Sequence, residues 1–153
     1  MYDECGHGNA EKFHSKELSK MIESLNLEQP TPTVWGEDWR PYAGHNLYFL
    51  FALNRQHYFK SLGSLGMPEI FDSHRDEAVV DGLKRLYSDA INYDFYRDHI
   101  VMDQKHGQMW LNHVIVPIVD IDSKLGRELA IGGEMRMVAM RRYNEYLANR
   151  FGL

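Results

Sequence analysis

The chain has 153 residues, a formal net charge of -5, 44% hydrophobic and 25% charged residues, and one cysteine, Cys5. These values describe a single globular domain, 1–153, able to bury its own core. They exclude an internal disulfide and any zinc site built on two cysteines of this chain.

No apolar run reaches the length of a membrane span. The opening MYDECGHGNAEKF lacks the basic and apolar regions of a secretion signal. The expectation is therefore a cytoplasmic or virion location, without secretion. Residues 1–8, with Gly6 and Gly8, read as a flexible tail. Asn9 is the expected N-cap of a first helix over 9–26, with Phe13, Leu18, Met21, Ile22 and Leu25 on its apolar side. The stretch QPTPT at 29–33 stops it. Trp35 and Trp39 then flank an acidic turn.

Pro41 stands where a proline opens a helix at no hydrogen-bond cost. The nearly unbroken apolar run 47–53 predicts a central, buried helix over about 43–61. Residues 63–68, GSLGMP, read as a loop. Asp72 or Ser73 caps a third helix with Val79, Val80, Leu83, Leu86 and Ile91 in its core stripe. A fourth helix covers about 93–108, weakened by Gly107. The β-branched run 114–121, the turn 122–126 and residues 127–131 predict a β-hairpin over about 113–131, with Pro117 at an edge or bulge. A C-terminal amphipathic helix follows over 134–151, closed by Gly152. The expected fold class is α+β, mainly helical: four to five helices around the buried 43–61 helix, plus one hairpin.

The chemistry concentrates on one stripe. His99, Asp103, His106, Trp110 and His113 are spaced four, three, four and three, one face of a helix. His99, Asp103 and His106 are the candidate metal ligands. His99 and His106 lie about 10 Å apart along the axis, too far to share one ion. A site here needs ligands from another helix, for which His45, His57, His74 and Glu77 are the candidates. A dinuclear arrangement has Asp103 bridging two ions, with metal-assisted hydrolysis as its chemistry. Glu4 with His7, and Glu11 with His14, only mimic the Glu-x-x-His signature of paired-metal bundles. The bland alternative is a half-buried polar face. No phosphate loop and no nucleophile–base arrangement is present.

The terminal helix carries Met137, Met140, Asn144, Leu147 and Phe151 on a three-four repeat, a short seam for docking onto the core or onto a partner. With Trp35 and Trp39 these are the candidate partner-binding residues. Charge is asymmetric: residues 1–38 hold eight acids against three lysines, while 132–153 hold four arginines against two glutamates. An acidic chain is a poor general binder of nucleic acid.

The sequence thus leans to a non-enzymatic protein-interaction or assembly subunit, such as a structural component of a virion. Its partner is then a protein or a second copy, with no membrane and no direct nucleic-acid binding. It calls for no cofactor beyond a divalent metal on the stripe. The alternatives are a small metal-dependent hydrolase using that stripe, and an acidic inhibitor or regulator of a nucleic-acid enzyme.

Overall fold

The computed structural model describes residues 2–3, 5–26, 38–88 and 90–152. Among them every regular element is helical. Short 3-10 turns at Gly6–Gly8 and Ala10–Lys12 precede α1 (His14–Ser24). Then come α2 (Arg40–Leu53), α3 (Tyr58–Tyr87), α4 (Asp94–Trp110), α5 (Val116–Ile121) and α6 (Ser123–Phe151). No helix in the described residues is long and apolar enough to cross a membrane.

The predicted hairpin at 113–131 does not exist, so the α+β assignment is corrected to an all-helical fold. The β-branched run is a π-turn, Leu111–Ile115, running into α5. Pro117 explains the geometry: it lacks the N–H that would bond back to His113, and the ladder widens there. Val116 N–H instead reaches Leu111 O. Pro117 then occupies the first turn of α5, where its missing donor is harmless. The supposed turn at 122–126 is a helix start. Asp122 Oδ1 accepts Lys124 N–H at 2.9 Å and caps α6. β-propensity described a fit to half-buried surface, and a helix face supplied it.

The buried helix over 43–61 is also corrected. α2 ends at Leu53, a 3-10 turn covers Arg55–His57, and α3 begins at Tyr58. Leu47 and Phe51 are buried, but Phe49, Leu50 and Leu53 face outward. The expected loop at 63–68 lies inside α3, with Pro68 within the helix.

Two compact units make up the chain: Met1–Gln29 with Asp72–Gln104, and Pro30–Phe71 with Lys105–Leu153. In the first, Met21, Val80 and Ile91 are buried, and Ser24 Oγ accepts Asn92 N–H at 3.0 Å. Arg75 pairs with the buried carboxylates of Asp72 (2.6 Å) and Asp76 (2.8 Å).

In the second unit, Leu47, Phe51, Met67, Leu129 and Tyr146 form the core. Here α3 and α6 meet backbone to backbone. A Cβ on Gly63 would strike the Leu129 carbonyl, and one on Gly132 the Lys60 carbonyl. The ion pair Lys60 Nζ–Glu128 Oε2, 2.7 Å, flanks that crossing. On the α2 side the Arg136 guanidinium lies 4.7 Å over the Tyr48 ring.

Candidate metal centre

α4 presents Asp103 and His106 one turn apart, as the i, i+3 rule requires. Glu69 comes from α3, and its Oε2 lies 3.2 Å from His106 Nδ1. Gly107 makes this meeting possible. A Cβ there would stand 2.6 Å from the Glu69 carbonyl oxygen and 3.0 Å from Ile70 Cα. The residue that weakens the helix on paper is the one that lets α4 lie against α3 beside Glu69. Trp110, one turn further, donates its indole N–H to Leu62 O at 3.2 Å and fixes the end of α4 on α3.

The donor atoms of Glu69, Asp103 and His106 all lie within 4.8 Å of one another. Metal–ligand bonds of about 2.0–2.2 Å put neighbouring donors about 3 Å apart and opposite donors about 4.3 Å apart. The spacing is therefore on the scale of one coordination sphere. Asp103 is only 8% exposed. Glu69 Oε2 is buried with no hydrogen bond, although the imidazole is at contact distance. At 3.2 Å the His106 imidazole is its ion-pair partner, and a cation placed between the two side chains would serve both.

His99 sits one turn before Asp103 on α4 and outside this trio. Its Nδ1 lies 2.6 Å from Phe95 O. An Nδ1–H donating to that carbonyl leaves Nε2 as the ligating atom, the usual way a protein aims a metal-binding imidazole. His14 of α1, 8% exposed, lies beside it with ring centroids 4.3 Å apart. Of the other candidates, His45 and His74 are exposed, His57 lies edge-on to Phe51, and His113 is exposed on the π-turn. Glu77 pairs with His74 at 3.5 Å. None of them belongs to the trio. Glu11 is taken by Lys16 and Lys20, and Glu4 lies outside the described residues.

Sequence reasoning passed over Glu69 and set His14 aside. For Glu69 the one available signal was Gly107 next to His106, which marks a close helix approach without naming its partner.

Glu17, one turn after His14, is 7% exposed, and its Oε2 has no hydrogen bond. Burial, then the nearby Asp98, push its carboxyl above the ordinary value. An acid whose pKa rises on folding opposes folding once it ionises. The penalty is absent below its ordinary range and grows as pH rises past it. Glu17→Gln is therefore expected to raise the melting temperature of metal-free protein at pH 8 by about 2–4 °C, the effect of about 1 kcal/mol. At pH 4 it should change nothing. Thermal melts at the two pH values check this, and an equal gain at both would refute it.

Among the candidate partner-binding residues, Trp39 is 55%, Met137 50% and Phe151 64% exposed. Asn144 is exposed, while Met140 and Leu147 are half-buried. Trp35 lies outside the described residues.

Comparison with known proteins supplies what the geometry alone does not. Residues 1–141 match the family model described as iron-containing redox enzyme. A nitrosourea synthase from Streptomyces achromogenes subsp. streptozoticus is 25% identical over 126 residues, 77% of this chain and 25% of that protein. The chain thus spans about a quarter of that relative's length.

These matches overturn the non-enzymatic, virion-type assembly reading and the inhibitor reading. They also replace the expectation of no cofactor beyond a divalent metal on the stripe with the iron that the family's description names. The metal-dependent enzyme was the nearer alternative, although it assigned hydrolysis where the family performs redox chemistry. The donors at hand suit that metal: imidazole nitrogen and carboxylate oxygen are iron ligands, and a lone cysteine cannot hold an iron–sulfur cluster. With residues 1–141 inside the family model, this chain belongs to the iron-containing redox enzymes.

Proposed function

We propose that the chain is a non-haem iron oxidoreductase acting on a small organic substrate, with its metal held by Glu69, Asp103 and His106. The observation that carries this reading is the convergence of the Glu69, Asp103 and His106 donor atoms within 4.8 Å of one another, with Asp103 only 8% exposed. Two carboxylates beside one imidazole form the mixed oxygen–nitrogen set of non-haem iron, whereas haem takes its protein bond on an axial face.

Iron held there would supply electron transfer to an oxidant. The chain's own residues do the rest. Asp103 would hold the metal through its buried carboxylate. His99, oriented by Phe95 O, extends the donor line one turn along α4, with His14 beside it. Asp103 is the most enclosed of the three at 8% exposed, while the His106 and Glu69 side chains, 20% and 35% exposed, leave the site open on their side. The relative's name, nitrosourea synthase, motivates a nitrogen-containing substrate class for this chain.

The test is anaerobic loading with Fe(II), followed by metal analysis and Mössbauer spectroscopy. Stoichiometric high-spin iron with nitrogen and oxygen ligands and no haem absorption band is expected. A chain that takes up haem and holds no other iron would overturn the proposal.

A further inference from the structure

We propose that α6 is one half of a symmetric dimer interface, across which a second copy of this chain lays its own α6 antiparallel, centred on Val138. The face lies wholly within the second unit. Between α2 and α6 runs a hollow of about 400 Å³, walled by Trp39 and Leu47 on one side and Met135, Val138 and Arg142 on the other. A second hollow of about 400 Å³ lies against Val138 as well, between Glu134, Met137 and Arg141. A ridge at Val138 with a hollow on each flank is the surface that another helix packs into. Trp39 and Met137, 55% and 50% exposed, add large apolar area at its edges.

Charge selects the occupant. Glu134 stands four residues before Val138 and Arg142 four residues after it, and both are exposed. A two-fold axis at Val138 sets Glu134 against the partner subunit's Arg142 and Arg142 against the partner subunit's Glu134. The two ion pairs lie about 12 Å apart along the helices. In the same register Arg141 faces the partner subunit's Met135, so no like charges meet. A parallel arrangement would oppose glutamate to glutamate and arginine to arginine. Self-complementarity of this kind is the mark of an isologous contact, and an unrelated partner has no need of it. Methionines at the centre suit a surface that adapts to its copy.

Sedimentation velocity from about 1 to 100 µM tests the proposal. A dimer is expected. Glu134→Arg and Arg142→Glu should each weaken it by at least about tenfold, because each places two like pairs in the interface. The double variant should return association to near the wild-type value. Glu134→Arg leaves the Arg142–Trp39 contact (5.7 Å) in place, so loss there reports the interface rather than that contact. A monomer throughout the range overturns the proposal. So does a dimer that ignores the single reversals, or a double variant that stays as weak as either single one.

Discussion

Asp103→Ala is expected to leave the chain unable to retain iron and without redox activity, while its helical circular dichroism persists. The argument is one of donor number. Among the described residues, Glu69, Asp103 and His106 are the three side chains whose donor atoms converge within 4.8 Å. Changing an outer-shell partner of a metal ligand costs about 10–100-fold in affinity, so deleting a ligand itself should exceed about 100-fold. His106→Ala should do the same.

His99→Ala separates one ion from two. His99 lies about 10 Å along the axis from His106 and cannot serve the same ion. If one ion sits at Glu69, Asp103 and His106 alone, His99→Ala keeps full iron content. If a second ion uses His99, content falls by about half while the first remains. Metal analysis after anaerobic loading reads both cases. Unchanged iron in Asp103→Ala would remove the trio as the site.

The polar stripe was legible because helical periodicity is local: four- and three-residue spacings align side chains whatever the rest of the chain does. Its meaning was not legible. His99 and His106 gain partners from residues far away in sequence, His14 and Glu69, and nothing in the spacing of α4 selects them. His14 was visible only as half of a Glu-x-x-His pair whose glutamate proves to be held by lysines at the surface. Metal chemistry was readable from residue type, yet iron and redox chemistry were not, because imidazole and carboxylate serve several metals.

The failures in the fold share a cause. Val114, Ile115, Ile118 and Val119 state that a segment is apolar and branched, but not whether its partner is a strand or a helix. The glycines and proline at 63–68 were read as loop punctuation. In the structure Gly63 is a contact point between helices and Pro68 is carried within α3. A glycine admits close approach as readily as a turn, and only the tertiary partner tells the two apart.

That reading of the glycines yields the largest expected loss of stability. Gly132→Ala adds a single methyl group on α6, and on exposed helix it would help, since alanine is the better helix former by about 1 kcal/mol. Here the new Cβ would enter the space of the Lys60 carbonyl, with Lys60 Cα also only 2.7 Å away. Backbone atoms cannot rotate aside as a flexible side chain can, so α3 and α6 must separate. Separation would strip packing from Leu129, which is 4% exposed, and stretch the Lys60–Glu128 pair. Overpacking of this kind costs about 1–3 kcal/mol or more, which outweighs the propensity gain. A melting temperature lower by about 4–10 °C is expected for metal-free protein. Gly82→Ala provides the control within α3: nothing lies within 4 Å of a Cβ there, so propensity alone acts and the melting temperature should rise slightly. Opposite signs from two glycine-to-alanine changes would locate the effect in the helix crossing. A melting temperature for Gly132→Ala at or above the wild-type value would show that α3 and α6 do not meet backbone to backbone.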